Sequence, residues 1–159
     1  MDRPVRKPTR LKNYDYSASG VYFITVCTRD RRCLLSHIES PDPPSVGAAI
    51  SRPQAAVCLS PVGEIVKCAI ENIPNIYPAV SLDKYVIMPN HIHMILLIRA
   101  EDPGRLIAAP ISTVVGQMKR WCSRQSKIPL WQRSFYDHIV RNEAEYTEIA
   151  EYIGGNPMK

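Results

Sequence analysis

Two apolar, β-rich segments, residues 80–88 and 91–98, are separated only by Pro89 and Asn90. Two strands joined by so short a turn must pair as an antiparallel hairpin, because parallel strands need a long crossover connection. This local constraint predicts that the chain is built around an antiparallel sheet.

The second strand of this hairpin is apolar on one face and mixed on the other, because successive side chains of a strand point to opposite faces. The apolar face consists of Ile92, Met94, Leu96 and Ile98. The other face begins with His91 and His93 and continues with Ile95 and Leu97. Apolar residues on both faces predict a central strand that is covered on both sides.

Other segments have the composition or periodicity of regular structure. They are a strand at 21–27, helices at 63–77 and 112–126, a short strand at 135–140, and a helix at 142–154 with Asn142 as its N-cap. The resulting order predicts an α+β fold, a ferredoxin-like antiparallel sheet of about four to five strands with helices packed on it. We expect a single domain over 1–159, with a basic N-terminal arm at 1–15 and a proline-rich loop insertion at 40–61.

Composition excludes several classes of protein. No apolar run is long enough to span a bilayer, and no apolar stretch follows the N-terminal charges, so we expect a cytoplasmic protein without a membrane partner. The five cysteines are odd in number and never spaced as Cys-x-x-Cys, which argues against a disulfide framework and a thiolate zinc cluster. We expect them to be reduced and mostly buried.

The net charge of +5 is distributed in three basic clusters, near residues 3–12, 29–32 and 119–133. A single cluster is more simply a solvated surface, but three in a small domain favour a polyanionic partner. The candidate contacts to nucleic acid are Arg10, Lys12, Lys119, Arg120, Arg133 and Arg141.

His91 and His93 project from the same face of a strand and could together bind one metal ion. The alternative is a pair of partly exposed histidines that follows a turn and has no ligand. The His-x-His pattern alone leaves both interpretations open.

Tyr152 lies on the third predicted helix, about 100° from the centre of its apolar stripe at 3.6 residues per turn. Its hydroxyl could therefore reach a cleft, although an amphipathic residue at the edge of the core would show the same spacing. Asn156 follows four residues later, near the same helix edge. Tyr136 and Tyr146 are rival nucleophiles, ranked below Tyr152 because of their expected places in a strand and on the core stripe.

Three motifs in order resemble those of the REP-associated tyrosine transposases, relatives of the single-tyrosine transposases with a histidine-hydrophobe-histidine motif. They are YVIMPNHIH at 85–93, WQRSFYDH at 131–138 and EYIGGNP at 151–157. The resemblance implies a ferredoxin-like fold, Tyr152 as nucleophile, and His91, His93 and Asn156 as ligands of Mg²⁺ or Mn²⁺. It also implies a substrate of single-stranded DNA with REP-like hairpins, where REP denotes repetitive extragenic palindromes.

The function expected from this resemblance is a metal-dependent endonuclease and strand transferase that forms a 5′-phosphotyrosine intermediate, acting as a monomer or a homodimer. One alternative is a decayed module of the same fold that binds hairpin nucleic acid without cutting it. Two features favour that alternative. Gly154-Gly155 weakens the predicted helix that contains Tyr152, and the chain ends soon after Asn156. A third hypothesis is a phosphodiesterase that activates water at the histidines and does not use Tyr152.

Overall fold

The computed structural model describes residues 18–39, 56–99 and 109–156 of the chain. Its strands are β1 (Gly20–Cys27), β2 (Ser36–Glu39), β3 (Ala56–Leu59), β4 (Val80–Ile87), β5 (His91–Ile98) and β6 (Tyr136–Val140). Its helices are α1 (Pro61–Glu71), α2 (Ile73–Ile76), α3 (Ile111–Ser126) and α4 (Glu143–Gly155), with a 3₁₀ turn at Arg29–Arg31.

The main sheet has four antiparallel strands in the order β4-β5-β1-β6. The predicted hairpin is confirmed as β4 and β5, joined by Pro89 and Asn90. Strand β5 lies between β4 and β1, so its central position is also confirmed. Without the short ribbon β2–β3 and helix α4, the order of elements and strands is that of a split βαβ, ferredoxin-like unit.

The two faces of the sheet are covered differently. Tyr22, Ile24 and Val26 of β1 are fully buried, in one core cluster with the apolar face of β5 and residues of α1 and α3. The opposite face holds the histidines of β5, and α4 packs there against β4 and the β5 histidines. Only Ile153 of α4 is buried. Helix α4, which contains Tyr152, therefore lies on the face of the sheet that holds the β5 histidines, away from the larger core.

Helix α1 begins with a closely packed N-terminus. The Ser60 side chain accepts a hydrogen bond from the Gly63 N–H at 3.0 Å and donates to the Leu34 carbonyl at 2.6 Å. A Cβ atom on Gly63 would lie 2.0 Å from the Leu35 carbonyl oxygen, which no van der Waals contact permits. Glycine is therefore required here by the approach of two backbones.

The interpretation of residues 40–61 as one loop is wrong at its C-terminal end. Ala56–Leu59 is strand β3, which pairs with β2, and Pro61 begins α1. Both strands have four residues, too few for a clear alternation. Residues 40–55 and the basic arm at 1–15 lie outside the described residues.

Two further expectations need correction. The helix predicted at 63–77 is divided into α1 and α2, because Pro74 has no N–H to continue the hydrogen-bond ladder. All five cysteines are free thiols, but only Cys122 is buried, while Cys33 and Cys68 are exposed. Among the described helices, none has the length and apolar character needed to cross a membrane.

Candidate active site

The histidine pair lies where β5 begins, on the face covered by α4. His91 is paired with Cys27 and His93 with Thr25 across the β1–β5 ladder. The two imidazole centroids are 4.7 Å apart. The register of a central strand thus holds both rings side by side on one face.

Tyr152 projects from α4 toward the same rings. Its aromatic ring lies 5.3 Å from the His93 ring, and its hydroxyl oxygen is 3.5 Å from His93 Nε2. The side chain is 43% exposed, so the hydroxyl remains accessible to a large substrate. The structure therefore brings His91, His93 and Tyr152 of a single chain into one cluster.

Hydrogen bonds orient both imidazoles. His91 Nδ1 lies 2.6 Å from Asn90 Oδ1, and because this oxygen only accepts, the proton is on Nδ1. His93 Nδ1 lies 2.8 Å from Thr25 Oγ1. The Tyr152 hydroxyl can donate to His93 Nε2 only when Nδ1 has the proton and donates to Thr25. In these tautomers both Nε2 atoms present a lone pair.

The electrostatic environment keeps these rings neutral. Burial lowers the pKa of His93 from 6.5 to about 4, and the neighbouring His91 adds to this effect. Burial, followed by the Arg31 guanidinium, lowers the pKa of His91. Neutral imidazole is the form that binds a metal ion, so both rings are available as ligands at neutral pH without losing a proton.

The shift in the pKa of His93 predicts a dependence of stability on pH. In the unfolded chain the imidazole titrates near 6.5, whereas in the native protein it titrates near 4. Below pH 6.5 the unfolded state therefore binds the proton first, and stability decreases as the pH falls toward 4. Urea unfolding in the presence of a chelator should show this loss. His93→Gln should reduce the slope of the free energy of unfolding against pH. An unchanged slope in the variant would assign the loss to other groups.

Asn156 is placed one helical turn beyond Tyr152. Helix α4 continues through Gly154 and Gly155, and the Asn156 N–H donates to the Tyr152 carbonyl at 3.2 Å. The helix therefore reaches Asn156 despite the two glycines. Its Nδ2 atom is buried without a hydrogen-bond partner in the described part of the chain. This nitrogen is a hydrogen-bond donor and does not bind a cation, so only Asn156 Oδ1 could serve as a metal ligand.

The donors present fit a divalent cation. Two imidazole nitrogens with free lone pairs and one amide provide a nitrogen and oxygen set that suits Mn²⁺ and, with several retained waters, Mg²⁺. The assignment of His91, His93 and Asn156 as ligands stays a prediction.

The rival tyrosines differ in their surroundings. The Tyr146 hydroxyl donates to Asp83 Oδ2 at 2.6 Å, and this hydrogen bond raises the pKa of Tyr146. It is therefore held as a neutral phenol away from the histidines. Tyr136 is 48% exposed and lines an open groove together with Tyr152, which makes it the more informative control.

An open polar pocket adjoins the histidine end of the sheet. The Thr28 N–H donates to the Asn90 carbonyl, and Thr28 also pairs with Trp131. The pocket is lined by Arg29, Asp30, Trp131, Gln132, Arg133 and Ser134. The indole Nε1 of Trp131 is buried and lacks a partner within the described ranges. The pocket thus combines two arginines with a largely buried indole.

The backbone before this pocket is strained. Asp30 and Arg31 adopt positive φ angles of 55° and 53°, which are uncommon for residues other than glycine. Such strain is concentrated at functional sites. The charge of Arg31 also acts on His91, so this turn belongs to the surroundings of the histidine pair.

The candidate nucleic-acid contacts are dispersed. Arg133 lines the pocket, whereas the Lys119 ammonium donates to the carbonyls of residues 132, 133 and 134 and so supports the pocket from behind. Arg120 and Arg141 are exposed on α3 and beside α4. Arg10 and Lys12 lie outside the described residues. Of the four candidates within the described residues, Arg133 alone lines the pocket.

Sequence reasoning missed the residues that orient the histidines. The sequence pattern places Asn90 in the turn and Thr25 in a strand, and it indicates no role for either beside the histidines. The alternation of β1 places Thr25 on one face with Phe23, whose ring stacks on His93 at 5.3 Å. Alternation alone could not identify β5 as the partner strand.

The chain is similar to known proteins in sequence and in fold. No protein-family model matches the chain. An uncharacterized protein of Haemophilus influenzae is 34% identical over 173 residues, which cover 96% of this chain and 88% of that protein. A protein of the same organism named "Putative REP-associated tyrosine transposase" is 22% identical over 160 residues, or 94% of this chain and 77% of its own.

One solved structure shows the same fold. It is a REP-associated tyrosine transposase bound to a REP hairpin, and it superposes with a TM-score of 0.63 at 20% identity. The match covers 94% of this chain and 73% of that chain. These similarities agree with the family resemblance of the three sequence motifs.

Proposed function

We propose that the chain, which is similar to REP-associated tyrosine transposases in sequence and in fold, is an enzyme that cuts and rejoins single-stranded DNA. The proposed reaction depends on a divalent metal ion and forms a 5′-phosphotyrosine at Tyr152. The main support is the 3.5 Å separation between the Tyr152 hydroxyl and His93 Nε2, beside a second neutral imidazole.

His91, His93 and Asn156 would hold Mg²⁺ or Mn²⁺. When bound, the cation would supply charge neutralisation of the non-bridging phosphate oxygens. The protein positions the remaining parts. Thr25 and Asn90 orient the two imidazoles through their Nδ1 atoms, and Phe23 stacks on the His93 ring.

In the cleavage step the Tyr152 oxygen forms a bond to phosphorus as the bond from phosphorus to the 3′ oxygen breaks. The phenol loses its proton, and the leaving oxygen gains one to become a 3′-hydroxyl. A phenol with a pKa near 10 is a weak nucleophile at pH 7, so positioning must contribute much of the acceleration. The phosphotyrosine keeps the energy of the broken diester, so a second 3′-hydroxyl can reverse the step without ATP.

DNA would reach the site past the polar pocket of Arg29, Trp131 and Arg133. Guanidinium groups bind phosphate oxygens, often through two parallel hydrogen bonds. The solved relative is bound to a REP hairpin, and we propose hairpin-containing DNA as the partner here as well.

A labelled-hairpin assay tests the proposal. The full chain is incubated with Mn²⁺ and a single-stranded hairpin oligonucleotide labelled at its 3′ end, and the products are separated on a denaturing gel. We expect a protein-linked labelled fragment that is absent with Tyr152→Phe and present with the matched control Tyr136→Phe.

The same gel separates the alternatives. Cleavage that persists in Tyr152→Phe without a covalent adduct would support hydrolysis by a metal-activated water. Tight binding of the hairpin without cleavage by the native chain would support a decayed binding module. Either result would overturn strand transfer through Tyr152.

The geometry also favours a tyrosine that acts within its own chain, because Tyr152 lies beside the histidines of the same chain. We therefore expect no cleavage when the Tyr152→Phe protein is mixed with the His91→Ala protein, because neither chain has a complete site. Restored activity in the mixture would mean that a dimer exchanges its tyrosine helices and that the site is composite.

Thr25 is proposed as a positioning residue for His93. Thr25→Val keeps the shape of the side chain but removes the acceptor at 2.8 Å from Nδ1. Loss of such an outer hydrogen bond weakens metal affinity by about 10–100-fold, so the variant should require correspondingly more Mn²⁺. Thr25→Ser should restore the native requirement. An unchanged Mn²⁺ dependence in Thr25→Val would limit Thr25 to a structural role.

A further inference from the structure

The ribbon β2–β3 contains a second cluster of potential metal ligands. In its antiparallel register His37 is paired with Cys58, and Glu39 is paired with Ala56. Because side chains alternate, His37, Glu39 and Cys58 share one face of the ribbon. His37 and Glu39 are exposed and Cys58 is partly exposed, so this face is open to solvent.

The three donor atoms lie close enough to bind one ion. One atom from each of His37, Glu39 and Cys58 lies within 4.8 Å of the other two. His37 Nε2 and Glu39 Oε1 are 3.2 Å apart. Tetrahedral coordination at 2.0–2.3 Å separates ligand atoms by about 3.3–3.8 Å, so small side-chain rotations are sufficient.

We propose that His37, Glu39 and Cys58 form a zinc site, with water as the fourth ligand. A set of imidazole, carboxylate and thiolate is typical of Zn²⁺, because a soft thiolate ligand favours Zn²⁺ over Mg²⁺. The site is independent of the proposed DNA chemistry, because the ribbon forms its own sheet and shares no residue with the histidine pair of β5.

Binding would exchange a proton for the cation. Partial burial, with the Glu39 carboxylate as hydrogen-bond partner and nearby charge, raises the pKa of the Cys58 thiol. Zn²⁺ would take the place of the thiol proton, which is released to solvent, and the Glu39 charge would then be neutralised by the metal.

The consequence would be a cross-link between the two strands. A two-stranded ribbon is marginally stable by itself, and β2 and β3 have only four residues each. An ion held by His37 and Glu39 on one strand and Cys58 on the other would stabilise their pairing. It would do so at the ends that lead into residues 40–55.

A titration with Co²⁺, which substitutes for Zn²⁺ and absorbs light, tests the proposal. The full chain is treated with a chelator and a reductant, desalted and titrated, and the near-ultraviolet band of a thiolate–cobalt bond is recorded. We expect this band in the native chain and in the control Cys33→Ser, and its absence in Cys58→Ser. Added Zn²⁺ should remove it, whereas excess Mg²⁺ should not.

Two variants make the result decisive. His37→Ala should weaken binding at least about tenfold, because even outer-shell losses cost about that much. Cys27→Ser should leave the band unchanged, although Cys27 is paired with His91. A band that survives Cys58→Ser and disappears in Cys27→Ser would place the thiolate ligand beside His91 and overturn the proposal. The absence of a band in the native chain would also overturn it.

Discussion

Replacing His91 with alanine is expected to lower the rate of metal-dependent DNA cleavage by more than about 100-fold, because outer-shell substitutions alone cost about 10–100-fold. His91 is only partly buried, and its side chain forms a hydrogen bond with the neighbouring Asn90. Little packing is therefore lost, and the free energy of unfolding should change by less than about 1 kcal/mol. His93 is a less suitable probe, because it is only 6% exposed.

The measurements are single-turnover cleavage rates at several Mn²⁺ concentrations and urea unfolding of the same protein. His37→Ala is the matched control, since it removes an exposed histidine from the ribbon and should leave cleavage at the native rate. If His91→Ala cleaved DNA as fast as the native chain at every Mn²⁺ concentration, the assignment of His91 as a metal ligand would be wrong.

The second large effect is on stability. Gly63→Ala should destabilise the protein by about 3 kcal/mol or more, because its Cβ would lie 2.0 Å from the Leu35 carbonyl oxygen. That carbonyl also accepts the Ser60 N–H at 2.9 Å. The backbone segments at Gly63 and Leu35 cannot move apart without disturbing the start of α1, and the Leu35 side chain is fully buried.

Gly154→Ala is the matched control for this substitution. It lies within α4, and a Cβ at this position meets no atom within 4 Å outside its local helix backbone. Alanine should therefore stabilise the helix by up to about 1 kcal/mol. Urea denaturation of both variants measures the contrast. Equal effects, or a stable Gly63→Ala, would contradict the close approach of α1 to Leu35.

The parts of the fold that follow from local pattern were predictable. The Pro89-Asn90 turn determines the β4–β5 hairpin, and the alternation of β5 distinguishes its apolar face from its histidine face. Helix α4 was anticipated from its Asn142 cap, which accepts the Glu145 N–H at 2.8 Å. Each of these features depends on residues that are neighbours in sequence.

The parts that depend on distant pairing were not predictable. Thr25 lies 68 positions from His93, and only the β1–β5 register brings the two side chains together. The basic cluster predicts that Lys119 contacts nucleic acid, yet its ammonium lies 2.7 Å from the Gln132 carbonyl, which it helps to hold. Nothing in a basic cluster distinguishes a lysine that supports a loop from one that binds phosphate.

Identification of the DNA-linked residue tests the central proposal most directly. The native chain is reacted with Mn²⁺ and hairpin DNA, digested with nuclease and protease, and analysed by tandem mass spectrometry. We expect one modified peptide, with a nucleotide attached through its 5′-phosphate to the Tyr152 oxygen. A nucleotide on Tyr136 or Tyr146, a 3′-phosphate linkage, or cleaved DNA without any linked peptide would contradict the assignment of Tyr152 as the nucleophile.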